Sequence, residues 1–109
     1  MNSVGIIGFG RFGKVLSNIL QKGFKIKAYD PNPIIEFPGV EFVDQKTILK
    51  EQVIFIAVPI SIFESVIRNI TQNLNSGTTI IDVCSVKKHP TEIMENHLDN
   101  NIGIIATHP

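Results

Sequence analysis

The chain has 109 residues, enough for one domain of ordinary size and too few for two. Hydrophobic residues make up 43% and charged residues 18%, a globular balance with material for a modest core. Formal net charge is zero, which favours neither nucleic acid nor an anionic membrane surface, and neither partner is expected.

In chain order, Val4–Gly5–Ile6–Ile7 reads as a short buried strand stopped by glycines. Phe12, Val15, Leu16, Ile19 and Leu20 then recur at helical spacing, with Gly23 placed to cap the segment. Phe24 to Tyr29 predicts a second strand with Phe24, Ile26 and Ala28 on one face, broken by Asp30–Pro31–Asn32–Pro33. A short strand is expected at Glu41–Phe42–Val43, then a weak helical turn around Ile48 and Leu49.

The run from Val53 to Val58 is continuously apolar, as a strand covered on both faces should be, and Pro59 ends it. Ser61–Ile62–Phe63–Glu64 has the spacing of a capping box. The stripe Phe63, Val66, Ile67, Ile70 and Leu74 follows as an amphipathic helix. Thr78 to Val83 predicts a fifth strand, Pro90 to Leu98 a short helix and Ile102 to Thr107 a sixth strand. Alternating strands and helices imply right-handed crossovers and a parallel sheet. The fold class is α/β: a doubly wound, six-stranded Rossmann sheet of expected order 3-2-1-4-5-6, with residues 1–109 forming one dinucleotide-binding domain.

Gly8–Phe9–Gly10–Arg11–Phe12–Gly13 is a G-x-G-x-x-G that follows a strand and opens a helix. Gly8 permits the tight turn, Gly10 lets backbone approach a pyrophosphate, and Gly13 allows close packing of helix on strand. Free N–H groups and the positive dipole at the helix start favour phosphate. Asp30 follows at about the 20-residue spacing of the acid that holds the adenosine ribose. A carboxylate there repels a 2′-phosphate, so NAD is expected over NADP, although Arg11 or Lys27 leaves room for a phosphate.

At this point the chain resembles the prephenate and arogenate dehydrogenases of tyrosine biosynthesis. The likeness is carried by the glycine loop, Ala28–Tyr29–Asp30, Ile56–Ala57–Val58–Pro59, Asp82–Val83–Cys84–Ser85–Val86–Lys87 and Thr107–His108–Pro109. The resemblance implies oxidative decarboxylation of prephenate or arogenate with hydride transfer to a nicotinamide. It implies that His108 accepts the substrate hydroxyl proton, that Ser85 orients that hydroxyl and the histidine, and that Ala57, Val58 and Pro59 border the nicotinamide. Arg11 and Phe12 join the cofactor site as members of the glycine loop. Both Ser85 and His108 follow strands, so they should project at the carboxyl edge of the sheet, where open α/β folds bind ligands.

Family members also carry a second, helical domain for dimerisation and substrate binding, which these 109 residues do not contain. The isolated chain is therefore expected to bind dinucleotide weakly, to turn over little prephenate, and to self-associate or dimerise through an exposed apolar face. A stand-alone nucleotide sensor, or a domain of another dehydrogenase, is the alternative; Ser85 and His108 together speak against both.

The other candidates carry less. Cys84 reads as a small buried residue at a strand end. It is the only cysteine, which excludes an internal disulfide and suits a reducing compartment. His89 and His97 lack partners at metal-ligand spacing, so no metal is expected. Lys87 is read equally as an anion contact or a solvated loop residue. The amino terminus has no signal-like pattern and no apolar run reaches the roughly 18 residues of a membrane helix, so a cytoplasmic protein is expected.

Overall fold

A computed structural model describes residues 2–32, 36–83 and 88–106. Six strands form one sheet: β1 (Ser3–Ile7), β2 (Lys25–Tyr29), β3 (Val40–Phe42), β4 (Val53–Ile56), β5 (Thr79–Asp82) and β6 (Gly103–Ala106). Their order is β3-β2-β1-β4-β5-β6, and every neighbouring pair runs parallel. This is the expected doubly wound topology. Helices α1 (Arg11–Leu20), α2 (Gln45–Ile48), α3 (Ile60–Ile70) and α4 (Lys88–His97) provide the connections, with a 3₁₀ turn at Thr71–Asn73 extending α3. Among the described residues, no helix is long and apolar enough to cross a membrane.

Side chains alternate across the pleat, so each strand feeds two cores. On one face Ile7, Ile54, Ile56 and Ile80 pack with Ile48 of α2, with Phe63, Ile67 and Ile70 of α3, and with Ile93 and Met94 of α4. On the other face Val4, Ile6, Ile26 and Ala28 pack with Leu16 of α1 and with Phe9. The reason is topological. Right-handed crossovers that run one way from β1 put their helices on one face, and those that run the other way use the opposite face.

The second face is therefore covered unevenly. One row of paired residues crosses the sheet as Ala28, Ile6, Phe55, Ile81 and Ile105. Ala28 and Ile6 beneath α1 are fully buried, Phe55 and Ile81 are half-buried, and Ile105 on the edge strand is 47% exposed. The neighbouring row on the opposite face, Ile54, Ile80 and Ile104, has its first two members fully buried. On α1 itself, Phe12, Val15 and Ile19 stay exposed, so only part of that helical stripe reaches the core.

Three local expectations are corrected. Gly23 is not a left-handed cap: α1 ends on Gln21 in right-handed geometry, and positive φ among the described glycines belongs to Gly8, Gly39 and Gly77. Ser61 and Glu64 form no capping box, because α3 starts at Ile60, two residues earlier than that box requires, behind Pro59, whose extended backbone (φ −58°, ψ 148°) sets the entry without a side-chain cap. Glu64 instead faces outward to Arg68 and His97. Phe24 lies before β2 and is exposed, while Ile26 and Ala28 are buried as predicted.

Candidate functional site

The sheet's connectivity reverses between β1 and β4, and the loops at their carboxyl ends must part there, which opens a crevice. A cavity of about 720 Å³ occupies it. Gly8, Gly10, Arg11 and Phe12 line it from the glycine loop, Asp30 and Asn32 from the end of β2, and Val58 and Pro59 from the end of β4.

The glycine loop is shaped by what it lacks. Gly8 has φ +95°, a left-handed conformation, and a Cβ there would stand 2.7 Å from the Ala57 carbonyl oxygen. A Cβ on Gly13 would meet the Gly8 carbonyl oxygen at 2.5 Å, so the first turn of α1 can lie against β1 only without one. Gly10 differs: its Cβ would meet nothing within 4 Å and would enter the open cavity. Phe9, between the first two glycines, points inward, with its ring edge-on to Phe37 at 5.2 Å and to Phe42 at 5.1 Å. That buried ring holds the loop to the sheet while its glycines stay bare.

Asp30 is fixed by the same loop. One carboxylate oxygen accepts from the Phe9 N–H at 2.6 Å, and the other accepts from the Asn32 N–H at 2.8 Å. Gly8 N–H donates to the Tyr29 carbonyl at 2.9 Å, which continues the parallel pairing to the lip of the cavity. Each carboxylate oxygen keeps a further lone pair for a hydroxyl donor. The helix start offers N–H groups that no side chain caps, since Gly10 is the N-cap and makes no side-chain bond. These features fit a dinucleotide: bare backbone at a helix N-terminus for phosphate, and an oriented carboxylate for a ribose diol.

The structure gathers Gly8, Gly10, Arg11, Phe12, Asp30, Val58 and Pro59 around this one cavity, and sets Gly13 behind it as a packing position. Ser85 and His108, with Cys84 and Lys87, lie outside the described residues. The strands that lead to them, β5 and β6, pair side by side at the same sheet edge, with Asp82 opposite Ala106. Sequence reasoning missed the far wall, made by Gln45, Val66, Asn69 and Ile70. No motif marks them as a site, because they come from two helices, α2 and α3, whose residues share a cavity only in the folded chain.

Fold and cavity define a class: a Rossmann domain with an open cleft at its topological switch point. The family model for the nucleotide-binding domain of prephenate dehydrogenase matches residues 35–109, and the chain belongs to that family. A probable arogenate/prephenate dehydrogenase of Methanocaldococcus jannaschii is 33% identical over 73 residues, covering 65% of this chain and 16% of that protein. The chloroplastic arogenate dehydrogenase 2 of Arabidopsis thaliana is 31% identical over 114 residues, covering 97% of this chain and 32% of its own length. The chain thus spans a third or less of these relatives. The crystal structure of Aquifex aeolicus prephenate dehydrogenase with hydroxyphenyl propionate and NAD+ shares the fold: TM-score 0.83 and 22% identity, covering 100% of this chain and 42% of that one.

Proposed function

We propose that this domain holds NAD for an enzyme that oxidatively decarboxylates prephenate or arogenate. The observation that supports NAD is the Asp30 carboxylate, held in place by two N–H donors at the lip of the cavity, where it can accept from a ribose diol and would repel a 2′-phosphate. Arg11 lines the same cavity from the start of α1 and is a cation suited to the diphosphate. Val58 and Pro59 form the apolar border of the nicotinamide end. When bound, the nicotinamide supplies the hydride acceptor.

His108 and Ser85 complete the reading through the family likeness. His108 takes the hydroxyl proton as the carbon–hydrogen bond is lost, and Ser85 orients the two. The carbon–carboxylate bond then breaks, its electron pair enters the ring, and the oxygen regains a proton as a phenol. The partly uncovered face under Phe55, Ile81 and Ile105 supports the reading that a further helical domain packs there and closes the substrate pocket.

Titration of the chain with NAD+ tests the cofactor assignment: saturable binding, weaker for NADP+, is expected. In the longer enzyme, His108→Asn should remove turnover of prephenate or arogenate while NAD+ affinity stays within about threefold, since a proton acceptor acts in the transition state. Loss of NAD+ affinity in that variant would refute the role given to His108.

A further inference from the structure

The proposed diphosphate and ribose contacts leave part of the cavity's lining unassigned. That lining includes Val66 and Ile70 of α3, both apolar, with Ile70 only 1% exposed. It also includes two amide residues from different elements: Gln45 at the start of α2 and Asn69 near the end of α3. Both also line an adjoining cavity of about 810 Å³, so they sit on the ridge that divides the two. Among the described residues neither side chain has a hydrogen-bond partner, which leaves two donors and an acceptor on each. Among the described residues Arg11, already assigned to the diphosphate, is the cation that lines the main cavity, while Lys46 and Lys50 line the adjoining one.

Apolar walls with neutral amides at the rim match a flat, uncharged heterocycle that has a polar edge, and they do not match a phosphate. Next to an oriented ribose, that heterocycle is the base. We infer that Asn69, assisted by Gln45, hydrogen-bonds the amine-bearing edge of the cofactor's adenine, so that the base is read by its edge and not merely covered. An amide carbonyl accepts from the exocyclic amine while the amide N–H donates to the adjacent ring nitrogen, the two-point pairing that Asn and Gln make with adenine elsewhere. Asn69 is the principal contact because it lies on the same helix as the stacking wall, one position before Ile70.

This rests on the reading of the cavity as a dinucleotide cleft, and the test keeps the two apart. NAD+ and its 1,N6-ethenoadenine analogue, in which the amine and ring nitrogen are bridged, are titrated against the chain and against Asn69→Leu, which keeps the side chain's bulk and removes its polarity. The wild-type chain should bind NAD+ about 10-fold tighter than the analogue, a typical return for a two-point contact. Asn69→Leu should lose about that factor for NAD+ and leave the analogue unchanged, and Gln45→Leu should show a smaller loss in the same direction. Equal wild-type affinity for the two ligands, or an Asn69→Leu loss shared by both, overturns edge reading and leaves the cleft assignment standing. Failure of the wild-type chain to bind NAD+ at all overturns both.

Discussion

One wall of the cavity works by leaving side chains out, and the other by putting them in. At Gly8 and Gly10 bare backbone lines the cavity, Gly13 lets α1 pack closely behind it, and Phe9 pins the loop from below with its ring edge-on to Phe37 and Phe42. Across the cleft, α2 and α3 present Gln45, Val66, Asn69 and Ile70 as ordinary side chains on regular helices. The difference suits the ligand. A diphosphate needs many N–H donors at close range, which only bare backbone can offer. A base needs a flat surface and an edge contact, which side chains offer more readily.

The largest effect expected from breaking this arrangement is at Gly13. The Gly13→Ala methyl would collide with backbone, the Gly8 carbonyl oxygen at 2.5 Å, and backbone cannot step aside as a flexible side chain can. A loss on the order of 3 kcal/mol is expected, lowering Tm by more than about 10 °C in thermal denaturation.

Gly10→Ala sharpens the contrast, because its methyl would enter open cavity and Gly10 already has φ −80°. Its Tm should stay within about 2 °C of wild type, as for substitutions outside any packed or strained position. NAD+ affinity should nevertheless fall by about 10-fold or more, since the methyl stands where the phosphate must come. If Gly10→Ala melted as early as Gly13→Ala, the division between ligand-facing and packing-facing glycines would fail.

Asp30→Asn should come next. Its neutral amide weakens two charge-assisted bonds, to the N–H groups of Phe9 and Asn32, and removes the charge that opposes a 2′-phosphate. The ratio of NADP+ to NAD+ affinity should rise by about 10-fold in competitive titration. An unchanged ratio would locate cofactor choice elsewhere in the cleft.

The smallest effect is predicted on the outer surface of α3. The Glu64 carboxyl is held below the ordinary glutamate range, chiefly by its hydrogen bond with His97 and secondarily by the charge of Arg68, against an opposing contribution from burial. A folded-state pKa below the unfolded one contributes stability that is present above the ordinary glutamate range and is lost as pH falls through the lowered value. Acid melts of the wild type should therefore steepen below that range, and Glu64→Gln should flatten that limb slightly. Identical acid limbs would show that the contact between α3 and α4 adds nothing.

The elements marked by strong local patterns were legible before any coordinates. The apolar run from Val53 to Val58 does hold a strand, but β4 stops at Ile56, its Ile54 and Ile56 face is buried while Val53 and Phe55 are only half-buried, and Pro59 serves as the N-cap of α3. The Ser61–Glu64 spacing misled because a capping box needs the helix to begin just after its serine, and α3 begins at Ile60, two residues too soon. Gly23 misled in a similar way, since Gln21 completes α1 in right-handed geometry and leaves nothing for a left-handed residue to do. The stripe Phe12, Val15 and Ile19 has helical periodicity, yet periodicity does not say which part of an apolar face finds a partner.

By itself the sequence determined the glycine-rich strand-loop-helix, the acid that follows it and the order of alternation that makes the sheet parallel. Each of these is a short-range consequence of backbone sterics or of a spacing fixed by one βαβ unit. Only the tertiary structure decided that Gln45 of α2 and Asn69 of α3 would line one cavity, and that Ile105 would stay open while Ile80 is sealed. Those outcomes depend on which helix lies over which strand, a pairing between residues far apart in the chain that no local pattern encodes.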